Sequence, residues 1–321
     1  MFFSVALRLR GEAIDSLGKI LISILQLGTI DYATGLTVQK QLVALRQEEK
    51  IGDVLLLLEH KPVITLGRNA KAANVIASPE LLSQRGVEVF ECDRGGDVTF
   101  HGPGQLVGYP IFDLRGYANG AVDAASAARE NQDVPSTPRK HLGAVDFVRR
   151  LEEVLIRTCA DFAIESKRIP GLTGVWTDPK HGDEKTGLSF RAEARNLLSA
   201  DAAPGASAEA KLAAIGIHIS RFVTSHGFAL NVNTDLSYFD LIVPCGITTK
   251  PVTSMQHELC KPLDLNAVAE SISRNFGKVL STQVLWLESL DALLGPTVGV
   301  PMKHPTELRQ PQKKEDGTTW A

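Results

Sequence analysis

The 321-residue chain is poor in cysteine, and none of its cysteines belongs to a Cys-x-x-Cys pair. The four cysteines are Cys92, Cys159, Cys245 and Cys260. Their wide spacing in a chain of this length excludes the disulfide framework of a small secreted protein. We therefore predict free thiols, a reducing compartment and a cytoplasmic location.

Long apolar runs are also absent. The longest run near the amino end, Ile20–Leu27, is far below the roughly 20 residues that a transmembrane helix needs. In MFFSVALRLR the two arginines follow the apolar residues, which is not the order of a signal peptide. We predict no membrane association and interpret residues 1–27 as an N-terminal extension.

Charge of one sign is not in excess. The 34 lysines and arginines nearly balance the 37 aspartates and glutamates, which gives a formal net charge of −3. A nucleic-acid-binding domain usually carries a basic surplus, so we expect no nucleic acid partner. Hydrophobic residues make up 44% and charged residues 22%, as is usual for a globular protein.

The hydrophobic patterns predict strands that follow one another with few helices between them. Apolar residues recur at helical spacing over 30–49, 143–162 and 265–280. Short apolar runs predict strands over 53–59, 63–66, 87–92, 105–114, 174–176, 211–219, 222–232 and 241–247. Such an order favours an α+β fold over a doubly wound parallel sheet.

A glycine-rich stretch, RGGDVTFHGPGQ, covers residues 94–105 between two predicted strands. Glycine permits positive φ and a close approach of the backbone to a ligand. Clusters of glycine and proline are also common in plain turns. The stretch by itself is therefore compatible with either a loop or a ligand-binding wall.

Four residues, of which one lies in this stretch, are candidates for a catalytic or ligand-binding role. Cys245 lies in a Pro-Cys-Gly turn that can present a thiol, although a free cysteine is more often a buried apolar residue. Lys211 leads an apolar run, where a lysine is more often exposed than catalytic. His101 and His226 each precede a glycine, and no further ligands stand at the spacing of a metal site.

Four blocks of the chain, in order, resemble the lipoyl/octanoyl transferase family, which moves an octanoyl group from acyl carrier protein to a protein lysine. The blocks are EHKPVITLGR, RGGDVTFHGPGQLVGYPIFDL, KLAAIGIHISRFVTSHGFALNV and IVPCGI followed by TS. The similarity runs from about Gly28 to about Leu280. It implies the α+β fold of biotin and lipoate protein ligases, with a mixed sheet, flanking helices and a single domain.

The resemblance implies a catalytic pair. Cys245 matches the cysteine that carries the acyl thioester, and Lys211 matches its lysine partner. An ammonium group beside a thiol favours the thiolate, which is the nucleophile. Lys185 is a rival because its local sequence also resembles the family, but the unbroken run from Lys211 to His226 favours Lys211.

The resemblance also implies an acyl pocket. The predicted substrate-binding residues are Arg94, Gly95, Gly96, Asp97, Val98, Thr99, Phe100, His101, Ala214, Ile215, Gly216, His226, Gly227, Phe228 and Ala229. Arg94 is either a donor to local backbone or a contact of the carrier's phosphopantetheine arm. Phe100 departs from the family, which commonly has tyrosine there, so any role of that hydroxyl is vacant or filled elsewhere.

The implied partners are octanoyl-acyl carrier protein as donor, and lipoyl domains of 2-oxoacid dehydrogenase E2 subunits and the glycine cleavage H protein as acceptors. Because a thioester is already activated, no metal or other cofactor is expected. One alternative is an ATP-dependent lipoate or biotin protein ligase of the same fold, although the chain has no P-loop pattern. Another is a binding module that retains the pocket without catalysis.

The predicted domain layout follows from these blocks. We expect an extension over 1–27, a catalytic domain over 28–285 with insertions at about 116–140 and 177–209, and a disordered C-terminal tail over 286–321.

Overall fold

The structure is a computed structural model that describes residues 21–117, 141–178, 209–244 and 250–294, and the backbone of 7–9 and 12–14. The strands in chain order are β1 (Leu7–Leu9), β2 (Glu12–Ile14), β3 (Leu21–Ile30), β4 (Asp53–His60), β5 (Val63–Leu66), β6 (Glu88–Glu91), β7 (Val98–His101), β8 (Gln105–Ile111), β9 (Lys167–Ile169), β10 (Leu172–Thr177), β11 (Ala210–Ser220), β12 (Val223–Asn231) and β13 (Gln283–Leu287). The α-helices are α1 (Tyr32–Gln47), α2 (Pro79–Gln84), α3 (Ala144–Asp161), α4 (Met255–Leu259), α5 (Leu265–Leu280) and α6 (Leu290–Leu294).

An eight-stranded mixed sheet in the order β13-β3-β4-β8-β12-β11-β10-β9 forms the centre of the molecule. β3 pairs in parallel with β13 and β4, and the other neighbours are antiparallel. A smaller sheet has the order β6-β5-β7, and β7 lies within the glycine-rich stretch. β1 and β2 pair with each other in a separate hairpin.

Helices cover both faces of the large sheet. On one face α3 and α5 pack through a cluster that includes Phe147, Leu151 and Phe276. On the other face α1 and α6 pack through a second cluster that includes Leu42 and Leu293. Burial on both faces explains why β4 is a continuous apolar run rather than an alternating one.

The turn from β3 into α1 places an aromatic side chain beside the smaller sheet. Asp31 caps the helix, because its Oδ1 accepts the Thr34 amide over 2.8 Å. Tyr32, the first helical residue, is buried, and its ring stacks on that of His101 in β7 at 6.3 Å between centroids.

The α+β prediction is confirmed: the described chain is a single domain with a mixed sheet and flanking helices. The predicted boundary at residue 28 differs from the structure, in which β3 begins at Leu21 and lies inside the large sheet. The predicted boundary follows the family resemblance, which begins at about Gly28, and the run from Leu21 to Leu27 has no local pattern that links it to distant partners.

The predicted start of the C-terminal tail at residue 286 also differs from the structure. β13 runs to Leu287 and pairs with β3, and Leu290, Leu293 and Leu294 of α6 are buried in the core. These elements are five residues long each, too short to give a clear period.

Residues 118–140, 179–208 and 295–321 lie outside the described chain. The first two of these ranges contain most of the two predicted insertions. No helix in the described part of the chain has both the length and the apolar character needed to cross a bilayer.

Candidate active site

A cleft opens between the eight-stranded and three-stranded sheets. The residues that line the cleft are Tyr32, Arg94, Gly95, Gly96, Asp97, Thr99, His101, Val107, Tyr109, Ala214, Ile215, Gly216, His226, Gly227, Phe228 and Ala229.

Small residues in adjacent strands form the floor of the cleft. In the β11–β12 ladder Ala214 pairs with Ala229, and Gly216 pairs with Gly227. Because strand side chains alternate between the two sheet faces, both pairs lie on one face and leave a groove there. A Cβ added at Gly216 would lie 2.6 Å from the Gly95 carbonyl oxygen. The glycine-rich wall therefore rests directly on the floor, and no side chain separates them.

The buried guanidinium of Arg94 holds this wall in place. Nε donates to Thr65 Oγ1 over 3.1 Å, and Nη2 donates to Thr65 Oγ1 and to the Thr65 carbonyl over 2.9 and 2.7 Å. Nη2 also donates to the Asp97 carbonyl over 2.6 Å, and Nη1 donates to the Gly95 carbonyl over 3.1 Å. All these acceptors are neutral, so none of these contacts compensates the charge of the guanidinium group. Of the two roles considered for Arg94, the backbone donor is visible in these contacts.

A chain of buried hydrogen bonds fixes the tautomer of His101. Asn231 Nδ2 donates to the Thr253 carbonyl over 2.9 Å, so Asn231 Oδ1 accepts from Gln105 Nε2, also over 2.9 Å. Gln105 Oε1 in turn accepts from His101 Nδ1–H over 2.7 Å. His101 Nε2 is then an acceptor, and it lies 3.4 Å from Thr65 Oγ1. Thr65 directs its hydroxyl proton there because its lone pairs accept from the guanidinium.

A second hydrogen-bonded pair consists of His60, which is fully buried, and Tyr109, which lines the cleft. His60 Nδ1–H donates to the Ile30 carbonyl over 3.1 Å, so Nε2 accepts the Tyr109 hydroxyl proton over 2.6 Å. Burial lowers the pKa of His60 to about 4 and raises the pKa of Tyr109, which keeps both groups neutral. Burial, followed by the charges of His60 and Arg94, lowers the pKa of His101 to about 3.

His226 lies at the rim of the cleft and is held by Asp93. Its Nε2–H donates to Asp93 Oδ1 over 2.7 Å, and its backbone amide donates to Gln39 Oε1 over 2.8 Å. Burial lowers the pKa of His226, although the Asp93 carboxylate opposes this shift. The hydrogen bond from His226 lowers the pKa of Asp93 against the effect of burial, so Asp93 is a carboxylate at neutral pH.

Lys211 stands near the start of β11, the strand that supplies part of the floor. It is 8% exposed, and its Nζ lies 5.2 Å from the centroid of the Trp176 ring. Its backbone amide donates to the Pro251 carbonyl over 2.8 Å, and its carbonyl accepts from the Thr253 amide over 2.9 Å. Lys211 precedes Ala214 by three residues, or about 10 Å along a strand, and does not itself line the cleft.

Cys245, the predicted nucleophile, and Lys185, the rival lysine, lie outside the described residues. The described chain on one side of Cys245 is attached at the cleft wall, because the Val243 amide donates to the Asn74 carbonyl over 2.7 Å. Asn74 Nδ2 in turn donates to Asp97 Oδ2 over 2.6 Å. On the other side, the carbonyl of Pro251 accepts from Lys211.

The structure brings all but two of the predicted substrate-binding residues together at the cleft. The exceptions are Val98 and Phe100, which alternate along β7 with Thr99 and His101 and therefore lie on its opposite face. Phe100 packs in the core of the smaller sheet, with its ring stacked on Tyr238 at 4.7 Å between centroids. A tyrosine hydroxyl at position 100 would lie in this core rather than in the cleft.

Three lining residues were not predicted: Tyr32, Val107 and Tyr109. Val107 and Tyr109 are two residues apart in β8, so their side chains lie on the same face of the strand. This spacing is visible in the sequence. The sequence gives no such signal for Tyr32, because its place at the cleft depends on how α1 packs against both sheets.

Comparison with known proteins identifies the family. The model of the lipoyl protein ligase A/B catalytic domain matches residues 31–129 and 134–277. An octanoyltransferase of Koribacter versatilis is 52% identical over 290 residues, which covers 90% of this chain and 96% of that protein. An octanoyltransferase of Acidobacterium capsulatum is 50% identical over 275 residues, covering 85% and 96%.

Solved structures share the fold. A bi-partite lipoate protein ligase of Thermoplasma acidophilum has a TM-score of 0.52 and 13% identity, covering 83% of this chain and 85% of that one. A lipoate-protein ligase A bound with ATP has a TM-score of 0.53 and 13% identity, covering 84% and 88%. At such identities the likeness shows the fold alone, and it confirms the predicted ligase-like architecture. The chain belongs to the lipoyl protein ligase A/B catalytic domain family and, within it, to the octanoyltransferases, and it is a transferase.

Proposed function

We propose that the protein transfers an octanoyl group from octanoyl-acyl carrier protein to a lysine of a lipoyl domain through a thioester on Cys245. The observation that carries this proposal is the position of Lys211, which is buried on the strand that floors the cleft. Its backbone amide donates a hydrogen bond to the carbonyl of Pro251, six residues after Cys245. Six residues span at most about 20 Å, so the chain length between Cys245 and Pro251 allows the proposed pair to meet.

The first half of the reaction loads the enzyme. The Cys245 thiolate attacks the thioester carbonyl of the donor, so a new C–S bond forms and the bond to the carrier sulfur breaks. The carrier thiolate leaves and takes a proton from the Lys211 ammonium. The products are octanoyl-Cys245, a free carrier thiol and a neutral lysine.

The second half unloads it. The amine of the acceptor lysine attacks octanoyl-Cys245, an amide forms, and the thiolate is released. The proton lost by the amine goes to Lys211, which restores the starting pair. One cleft thus serves two protein partners in turn, and no external energy source is consumed.

The cleft suits such a substrate. Its floor of alanine and glycine leaves a groove for an unbranched chain. The Arg94 charge, which has neutral acceptors on the protein side, favours an electron-rich oxygen in the cleft, such as that of a thioester carbonyl. Burial keeps His60, His101 and Tyr109 neutral, so these residues add no further charge to the cleft. The acceptors we propose are the lipoyl domains of 2-oxoacid dehydrogenase E2 subunits and the glycine cleavage H protein.

The test is intact-mass spectrometry after mixing the protein with octanoyl-acyl carrier protein in the absence of ATP. We expect one octanoyl group on the wild type, mapped to Cys245, and none on Cys245→Ala. Cys260→Ala is the matched control, since that cysteine is exposed and distant in the sequence, and it should load as the wild type does. Adding an apo lipoyl domain should then remove the group from the enzyme and place it on one lysine.

Absence of an adduct with intact donor would contradict the thioester mechanism. Modification of the lipoyl domain only with ATP and free acid would instead establish a ligase. Loading without transfer in Lys211→Ala would locate the lysine's role in the second half of the reaction.

A further inference from the structure

We propose that Trp176 is a positioning residue for Lys211, and that the face of its indole ring fixes the place of the lysine ammonium group. The inference rests on the proposed function for its catalytic consequence. The contact itself involves only described residues of β10 and β11 and is independent of the substrate.

The pairing of β10 with β11 is irregular at this point. Val175 pairs with Ala213, but the next residue, Trp176, pairs with Lys211, so the ladder skips Leu212. Such a β-bulge changes the direction of side chains and is frequent beside active sites. In a regular ladder Leu212 would stand opposite the tryptophan. The bulge is what makes the lysine its cross-strand neighbour.

The geometry of the contact is that of a cation–π interaction. Nζ of Lys211 lies 5.2 Å from the ring centroid, inside the limit of about 6 Å, and tryptophan is the most favourable aromatic partner. Trp176 is 1% exposed and Lys211 is 8% exposed. Water therefore competes little with the ring for the ammonium group, and the attraction is stronger than at a protein surface.

The backbone of Gly174 encloses the lysine side chain on another side. Gly174 has a φ of +129°, and a Cβ built there would lie 2.9 Å from Cε of Lys211. The Gly174 amide donates to Glu152 Oε1 over 3.0 Å, and Arg168 holds that buried carboxylate from the other oxygen over 3.1 Å. Helix α3 thus fixes the glycine against which the lysine lies.

These contacts restrict a side chain that otherwise has many rotamers. In the proposed reaction one ammonium group gives a proton to the carrier thiolate and then receives one from the acceptor amine. Both transfers require Nζ within hydrogen-bond reach of the reacting atoms. A ring that holds Nζ in one place serves both halves of the reaction without contacting the substrate.

The first test compares Trp176→Leu with Trp176→Phe in steady-state transfer to an apo lipoyl domain. Both variants lose volume and should unfold at lower temperature, but only phenylalanine keeps a π face. We expect kcat to fall about tenfold or more in Trp176→Leu and to stay within about threefold in Trp176→Phe, with KM for the octanoyl donor unchanged. A loss of kcat that follows the loss of thermal stability equally in both variants would overturn the inference.

The second test needs no activity. The chain has three tryptophans, so Trp286→Phe and Trp320→Phe leave Trp176 as the sole indole. In that background Lys211→Met removes the charge but keeps the stem, and we expect the Trp176 emission maximum to shift. Lys50→Met is the control, because Lys50 is exposed and paired with Glu48, and it should leave the emission unchanged.

The two tests separate two failures. Unchanged emission in Lys211→Met would overturn the positioning inference whatever the activity. Full transfer activity in Lys211→Met would instead overturn the proposed role of the lysine, and the emission would report the contact alone.

Discussion

Single residues at the cleft are each held in one protonation state by their neighbours. The backbone carbonyl of Thr253 can only accept a hydrogen bond. It therefore fixes the orientation of the Asn231 amide, which fixes that of the Gln105 amide, whose Oε1 faces His101 Nδ1. His101 is therefore the Nδ1–H tautomer, and its other nitrogen faces Thr65. The histidine acts here as a fixed acceptor, and its hydrogen bonds help to place the hydroxyl that Arg94 contacts.

The substitution Gln105→Glu tests this series of hydrogen bonds. A carboxylate opposite Nδ1–H stabilises the imidazolium, so the pKa of His101 should rise from about 3. The substitution also leaves the Phe100 carbonyl and Asn231 Oδ1 without their donor, which should cost about 1–3 kcal/mol of stability. The measurement is the ¹⁵N chemical shifts of the His101 ring during a pH titration.

Gln105→Leu is the matched variant, because it removes the acceptor without adding charge. In this variant the His101 ring should stay neutral at pH 6, and both of its neutral tautomers should be populated. A titration of His101 in Gln105→Glu that matches the wild type would contradict the proposed constraint.

At the scale of elements, the cleft depends on how closely the glycine-rich stretch approaches β11. The Gly95 amide donates to the Ile217 carbonyl over 3.0 Å, and the Gly95 carbonyl lies where a side chain at Gly216 would be. This contact is between two backbones, so neither partner can yield by rotating a side chain.

Gly216→Ala should therefore move the wall away from the floor. We expect a loss of about 1–3 kcal/mol in the free energy of unfolding, because the backbone must shift. In transfer assays the expected result is at least a tenfold fall in kcat/KM, about 1.4 kcal/mol of transition-state stabilisation. Thermal unfolding and steady-state kinetics measure the two effects.

Ser220→Ala, at the end of the same strand, is the control, since serine already has a Cβ. It should change neither quantity appreciably. Wild-type kinetics in Gly216→Ala would mean that the wall accommodates the methyl group and that the close approach has no role in the cleft.

At the scale of the whole molecule, neutral histidines buried between the two sheets link stability to pH. The pKa values of His60 and His101 in the folded protein are about 4 and about 3, below the ordinary value near 6.5. Below pH 6.5 the unfolded chain binds protons that the folded chain does not. Their stabilising contribution is thus complete above pH 6.5 and is lost as the pH falls toward 4.

We expect each of these histidines to add a slope of at most about 1.4 kcal/mol per pH unit to the free energy of unfolding in this range. His101→Asn removes one of them, while its Nδ2 can still donate to Gln105. In this variant the free energy of unfolding should change less steeply with pH than in the wild type. The difference in slope should correspond to about one bound proton, even if the variant is less stable at pH 7. Denaturant unfolding at a series of pH values measures the slopes, and parallel curves would contradict the assignment.

The sequence by itself determined the local elements and the residues of the site. Helical spacing predicted α1, α3 and α5, because that period follows from helix geometry, and short apolar runs predicted most strands of the large sheet. The glycine-rich stretch and the strand led by Lys211 were recognisable as parts of one site from their resemblance to a family. The nucleophile assigned to Cys245 remains a prediction of that kind.

Only the tertiary structure decided which residues meet. The family resemblance implies that Val98, Thr99, Phe100 and His101 all bind substrate, and only the structure shows which face of β7 borders the cleft. The parallel pairing of β13 with β3 joins opposite ends of the described chain, and neither strand has a local signal for its partner. The bulge that sets Lys211 against Trp176 is a property of two strands in register. Such contacts depend on free energies summed over the packed molecule, which a local pattern does not contain.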